Sequence, residues 1–143
     1  WRRLRPGNYA RLIREGIISR NRVRKEKAIL EITSNLRDTA WLHQLAERWA
    51  EYARLQPVSL RNSLRQLLAA MRFQAPAALP DTVPVILISG EGDRLVHPSC
   101  SRRMAEAWQL PLRAHPQAGH DLPLDAPQWL INTLLGGVTE TRN

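Results

Sequence analysis

The sequence predicts an α/β protein in which a helical segment precedes a parallel βαβ unit and a final helix. Residues 85–88 are a short apolar run (VILI) with three β-branched members, typical of a strand buried on both faces in a parallel sheet. The first 79 residues show helical periodicity and no comparable run. An aspartate follows the strand, and a histidine follows a second short strand. This order predicts one right-handed crossover that brings both groups to the same edge of the sheet.

The first half of the chain predicts four helices, each preceded by a residue that can cap it. Asn8 would cap a helix over residues 9–18, and Ser19 would cap a second helix that ends near residue 35. Asp38 and Ser59 would cap the third and fourth, since their side-chain oxygens can accept hydrogen bonds from free N–H groups at a helix start. The third and fourth helices carry apolar stripes that we expect to pack against neighbours: Leu42, Leu45, Trp49 and Tyr52, then Leu60, Leu64, Leu67, Leu68 and Met71.

The second half predicts strands over residues 85–89 and 112–115, joined by a helix that Ser99 would cap. Gly90 and Gly92 break the first strand. The final helix should begin at Asp125-Ala126-Pro127, because an acidic cap with proline in the first turn is a standard start signal. Gly136-Gly137 should end it.

Asp93 and His120 are the candidate catalytic residues. They are 27 residues apart, which suits one crossover between parallel strands. An aspartate that holds a histidine through one ring nitrogen leaves the other nitrogen able to take a proton, and this is the acid–base half of a nucleophilic triad.

Other acids and histidines offer alternative readings of the site. Glu91 is the strongest alternative to Asp93, and Asp121 and Asp125 are weaker ones. His97 and His115 are interpreted as loop or surface residues. No short spacing of His, Cys and carboxylate side chains predicts a metal site.

The segments SGEGDRLVHP and AGHDLPLDAPQWL resemble the end of an α/β-hydrolase, after its seventh and eighth strands. The resemblance implies the C-terminal part of that fold, with residues 1–79 as a helical cap or lid and residues 80–143 as the core segment. It implies hydrolysis of ester-like substrates by a Ser-His-Asp type triad, with Asp93 as the acid and His120 as the base. The nucleophile comes first in that family's chain order. No G-x-S-x-G sequence occurs here, so we expect the nucleophile upstream, in a missing N-terminal half of the fold.

The resemblance implies no cofactor and a small-molecule substrate, an apolar ester. Trp41, Trp49 and Tyr52 are candidates for lining its pocket, although packing between helices would equally account for them. Some epoxide-opening members of the family use two cap tyrosines as acids, and the tyrosines here are Tyr9 and Tyr52. Nothing in the context of these tyrosines suggests that role. Epoxide hydrolase, dehalogenase and thioesterase chemistry remain alternatives because the nucleophile decides among them and is expected upstream.

The formal net charge of +8 is concentrated in residues 1–37, where 11 Lys or Arg accompany 3 Asp or Glu. This basic block favours a non-enzymatic helical interaction module as the alternative function. No nucleic-acid partner is expected, because the block has no DNA- or RNA-binding fold signature. The single Cys100 excludes an internal disulfide and favours a reducing, cytoplasmic location. No apolar run approaches the roughly 20 residues that span a membrane.

Overall fold

The computed structural model describes residues 6–79 and 82–140. Helices make up most of this part of the chain, and two short strands lie in its second half. The elements in order are α1 (Pro6–Arg11), a π-helical turn (Leu12–Ile17), α2 (Arg22–Thr33), α3 (Thr39–Leu55), α4 (Leu60–Arg72), β1 (Leu87–Gly90), α5 (Ser99–Trp108), β2 (Leu112–His115), α6 (Leu122–Asp125) and α7 (Pro127–Glu140).

The two strands pair in parallel, as the sequence predicts, and α5 connects them and contacts both. Leu87 lies opposite Leu112, and Gly90 lies opposite His115. Strand β1 starts two residues later than predicted. The prediction that it is buried on both faces is wrong for the described residues, because β2 is its only paired neighbour there and its side chains are half-buried.

The apolar core lies between α2 and α3. The buried residues of α3 recur every three or four positions on one face and meet those of α2, which do not follow this spacing. The fully or nearly buried members are Leu30, Leu42, Leu45 and Ala46, and Val23, Trp41, Trp49 and Leu124 pack partly against them.

Two of the predicted helix caps are confirmed. The Asp38 carboxylate accepts a hydrogen bond from the N–H of Trp41 at 2.7 Å. The Ser59 hydroxyl oxygen accepts one from the N–H of Asn62 at 3.2 Å. Each bond satisfies an N–H group that has no carbonyl partner within its own helix.

The first two predicted caps are wrong. Asn8 lies inside α1, and its Nδ2 donates to the carbonyl oxygen of Arg94 at 2.7 Å, 86 residues away. Asn21 replaces Ser19 as the cap of α2 and accepts from the N–H of Arg24 at 2.9 Å. Asparagine is at least as good a cap as serine, and α2 starts two residues later than predicted.

The predicted caps in the second half are also wrong. Ser99 is the first residue of α5, and its hydroxyl bonds the Nδ1 of His97. Asp125 ends the short helix α6, and its carboxylate bonds groups outside α7. Helix α7 runs through Gly136-Gly137 to Glu140. No helix in the described chain combines the length and apolar character that crossing a membrane would require.

The apolar stripe of α4 does not pack as predicted. Four of its five members are exposed, and α4 has no extensive contact with another described helix or strand. Exposed apolar stripes of this kind are typical of surfaces that another element or partner covers. The exposed members are Leu60, Leu64, Leu68 and Met71.

The cap of α3 gives a direct test of this local structure. We expect Asp38→Ala to lower the free energy of unfolding by about 1 kcal/mol, because the N–H of Trp41 loses its acceptor. Asp38→Asn is the matched control and should keep most of the stability, because asparagine caps helices equally well. Denaturant unfolding measures both. Equal losses in the two variants would contradict the capping role.

Candidate active site

Two loops meet at the carboxyl edge of the sheet. The acid loop, residues 91–98, follows β1, and the histidine loop, residues 116–121, follows β2. The N–H of Glu91 donates to the carbonyl oxygen of His115 at 2.9 Å, and the N–H of Gly92 donates to that of Ala118 at 3.0 Å. Backbone bonding between the strands therefore continues into the loops and fixes their separation.

Asp93 and His120 are in direct contact. His120 Nδ1 donates to Asp93 Oδ2 at 2.8 Å. The other oxygen, Oδ1, accepts from the N–H groups of Leu95 at 2.8 Å and Val96 at 2.9 Å. The carboxylate is thus oriented by its own loop before it meets the imidazole.

The two side chains differ in their access to solvent. The Asp93 side chain is 14% exposed and that of His120 is 45% exposed. Among the described residues, His120 Nε2 has no hydrogen-bond partner. One nitrogen of the ring is therefore held while the other remains open to a reacting group, as general base catalysis requires.

The pair shifts the pKa of both groups. The hydrogen bond that His120 donates to Asp93 raises the pKa of His120, burial opposes this, and the charges of Asp93 and Asp121 add to the increase. Burial acts to raise the pKa of Asp93, but the hydrogen bonds from His120, Val96 and Leu95 outweigh it and leave the pKa below its usual value. The contact therefore favours the charged forms of both groups.

The alternative acids have other partners. Both oxygens of Glu91 accept from Arg102 at 2.7 Å. Asp121 lies beside His120 in sequence, but the structure shows its backbone N–H bonded to Thr33 and no side-chain bond to the ring. Asp125 is buried in a different network. Of the four candidate acids, Asp93 is the one that contacts the imidazole.

The other two histidines of this half play local roles. His115 Nδ1 accepts from the N–H groups of Gln117 and Ala118, and its ring meets Trp129 edge-on with centroids 5.2 Å apart. His97 is exposed and bonds Ser99. In the part of the chain that the structure describes, no three His, Cys or carboxylate side chains cluster in a way that would hold a metal ion.

Two glycines let the loops approach. A Cβ atom on Gly90 would lie closer than 3.0 Å to the carbonyl oxygens of Ala118 and Gly119, and one on Gly92 would crowd that of Gln117. These contacts are with backbone, which cannot move aside as a flexible side chain can. The sequence predicts that both glycines break the strand, but Gly90 is the last paired residue of β1. The structure shows that both glycines make room for the histidine loop.

A hydrogen-bond network that no sequence motif indicates joins the two loops to the end of α2. The segment after α2 bonds both loops through Ser34 and Asn35, and Arg94 donates to the carbonyl oxygens of Glu31 and Ser34. These partners lie 57 to 91 residues apart in the sequence. A pattern of neighbouring residues cannot show such contacts.

The aromatic residues considered for the substrate pocket or as acidic tyrosines lie in different parts of the structure. Trp49 and Tyr52 line an open cavity of about 510 Å³ with Glu26 and residues of the α3 end, and neither Asp93 nor His120 is among its lining residues. Trp41 packs partly on the core. Tyr9 is half-buried, and burial together with the nearby Asp93 charge raises its pKa.

A sequence profile described as "Alpha/beta hydrolase family" matches residues 2–133. The chain belongs to the alpha/beta hydrolase family. Its fold is similar to the crystal structure of a candidate lipase (lip1) from Acinetobacter baumannii AYE, with a TM-score of 0.58 and 14% sequence identity. That match covers 90% of this chain and 44% of the other, and at such low identity it shows the fold alone. No curated protein matches the chain significantly.

The family match confirms the resemblance seen in the sequence, and together with the similar fold it confirms the predicted fold class. It also supports the prediction that the protein is a hydrolase. In the described part of the basic block, which excludes residues 1–5, several cations are neutralised locally. Arg11 pairs with Glu15 and Glu31, Arg14 with Glu15, and Lys27 with Glu31.

Proposed function

We propose that this alpha/beta hydrolase cleaves ester-like substrates by nucleophilic catalysis, with His120 as general base and Asp93 as the acid that orients it. The observation that carries the proposal is the 2.8 Å bond from His120 Nδ1 to Asp93, which leaves Nε2 without a partner among the described residues. This arrangement matches the geometric requirement for a base that activates a neighbouring hydroxyl.

In the proposed reaction, a serine upstream of these 143 residues attacks the ester carbonyl carbon. His120 Nε2 takes the serine proton as the new C–O bond forms, and it returns that proton to the leaving alkoxide when the ester C–O bond breaks. His120 Nε2 then takes a proton from water as the water oxygen attacks the acyl carbon. It gives that proton to the serine oxygen as the acyl–serine bond breaks, which releases the carboxylic acid and restores the serine. Asp93 holds the ring in the required tautomer and stabilises the imidazolium between these steps.

Two exposed surfaces of this chain support the proposal that the rest of the fold completes the site. Among the described residues, one edge of β1 has no partner strand and the stripe of α4 is exposed, and the rest of an alpha/beta hydrolase would cover both surfaces. The backbone N–H groups that bind the oxyanion would come from that part of the fold. In this proposal, residues 1–79 form a cap over an apolar ester, and the protein is cytoplasmic. The upstream nucleophile decides between esterase, thioesterase, dehalogenase and epoxide hydrolase chemistry.

The location of the nucleophile can be tested directly. We expect the full-length protein to hydrolyse p-nitrophenyl esters and to be labelled by a fluorophosphonate probe, which reacts with activated serines. The 143-residue chain alone should do neither, because the proposal places the serine outside it. Circular dichroism provides the control that both proteins are helical. Turnover by the purified 143-residue chain, or no labelling of the folded full-length protein, would contradict the proposal.

A further inference from the structure

We infer that Asp125 and Asn35 are positioning residues that hold the acid loop and the histidine loop in register, so that His120 meets Asp93. This inference rests on the proposed function, since it assigns these residues a part in the same site. The sequence predicts a helix cap for Asp125, with the catalytic acid as its weaker alternative, and no role for Asn35.

The Asp125 carboxylate is buried and accepts hydrogen bonds from four different residues. The Asp125 residue is 6% exposed. Its Oδ2 accepts from the N–H of Gly119 at 2.6 Å and from that of Asn35 at 2.8 Å. Its Oδ1 accepts from the N–H of Leu36 at 3.0 Å and from the Ser34 hydroxyl. One carboxylate therefore joins the histidine loop to the segment that follows α2.

These donors also keep Asp125 ionised. Burial acts to raise its pKa, but the hydrogen bonds from Ser34, Gly119, Asn35 and Leu36 outweigh this effect and leave the pKa below its usual value. An ionised carboxylate only accepts hydrogen bonds, so in all four bonds the partner is the donor and Asp125 is the acceptor. Charge-assisted bonds of this kind are shorter and stronger than bonds between neutral groups.

The side-chain amide of Asn35 bridges the two loops directly. Its Nδ2 donates to the carbonyl oxygen of Gly92 at 2.7 Å and to that of Gln117 at 3.1 Å. Gly92 immediately precedes Asp93, and Gln117 lies three residues before His120. The Asn35 Oδ1 atom is buried without a partner among the described residues. The orientation of this amide is therefore set by the two loop carbonyls that its Nδ2 contacts.

The two residues together fix the backbone on both sides of the catalytic pair. Gly119 is the residue immediately before His120, so its bond to Asp125 limits how the histidine can move. A displacement of about 1 Å would stretch the 2.8 Å bond beyond hydrogen-bonding distance. The charges that act directly on His120 belong to Asp93 and Asp121, so Asp125 acts on the ring through the backbone.

The experiment compares Asp125→Asn with Asp121→Asn in the full-length protein by NMR titration of His120. Asparagine keeps the shape of Asp125, but its NH₂ group cannot accept from Gly119 or Asn35. We expect Asp125→Asn to lower the pKa of His120 toward its usual value and to remove the downfield Nδ1 proton signal of the bond to Asp93. Asp121→Asn removes a nearby charge, so it should lower the pKa while that signal remains.

Asn35→Ala provides a second variant in case Asp125→Asn fails to fold, because it removes the bridge and leaves the carboxylate in place. It should also weaken the downfield signal, and both variants should lower kcat/KM for an ester by about 100-fold. Ser59→Ala, which removes the cap of α4, a helix with no extensive contact to another described helix or strand, should leave the signal and the titration unchanged. A folded Asp125→Asn or Asn35→Ala variant with wild-type His120 titration would overturn the inference. The NMR result needs no turnover, so it stands or fails separately from the proposed ester hydrolysis.

Discussion

Replacing Asp93 by asparagine is expected to lower kcat of the full-length protein for an ester by about 10,000-fold. The amide cannot stabilise the imidazolium that forms when His120 takes a proton, and it allows the wrong ring tautomer. Glu91→Gln is the matched control. It removes a carboxylate from the same loop, but one that pairs with Arg102 and not with His120, so kcat should change little. A large loss in Glu91→Gln with near-normal activity in Asp93→Asn would show that the acid is Glu91.

The pH dependence of the rate distinguishes loss of the acid from general damage. His120 must be neutral to take a proton, and Asp93 raises its pKa, so kcat/KM should rise with pH through a midpoint above the usual histidine value. In Asp93→Asn the rising limb should move to lower pH. His120 and Asp93 both stabilise the folded protein, but their contributions depend on pH in opposite directions. That of His120 is complete below its unfolded pKa and is lost as pH rises through the raised folded pKa. That of Asp93 is lost as pH falls through its lowered folded pKa.

Gly90→Ala is expected to lower the free energy of unfolding by roughly 4 kcal/mol, which is exceptional for the addition of one methyl group. The new Cβ would lie closer than 3.0 Å to the carbonyl oxygens of Ala118 and Gly119, so the histidine loop would have to move away from the acid loop. Gly7→Ala is the control, because a Cβ there meets nothing within 4 Å and alanine favours the helix. Chemical denaturation measures both. Equal stability of Gly90→Ala and the wild type would contradict the close approach.

The acid and histidine could be predicted because their placement follows from a local rule. Asp93 lies three residues after β1 and His120 lies five residues after β2, and parallel strands present their carboxyl ends at one edge. The strand positions and spacing therefore predict that the two residues approach, and the resemblance of the flanking segments to an α/β-hydrolase points to them as the acid and the base. The caps Asp38 and Ser59 were predictable for a similar reason, since each acts on an N–H three residues later.

The supporting residues could not be predicted, because their partners are set by tertiary packing. Asp125 has the sequence context of a helix cap, yet its carboxylate bonds the segment after α2, about 90 residues away. Asn8 likewise precedes an apolar run but bonds the acid loop. Polar side chains of this size satisfy a nearby helix end or a distant backbone group equally well. Periodicity does not distinguish between these outcomes.

The sequence separation of these contacts bears on how the protein folds. The bonds that join the α2 end to the two loops close chain segments of 57 to 91 residues, whereas the α2–α3 core forms between neighbouring helices. Closing long segments is entropically costly before the contacts are made, so we expect the helical pair to form early and the loops to dock late. Catalytic geometry would then be among the last features acquired on folding. By the same reasoning, it would be among the first lost in partial unfolding, while most of the helical structure remains.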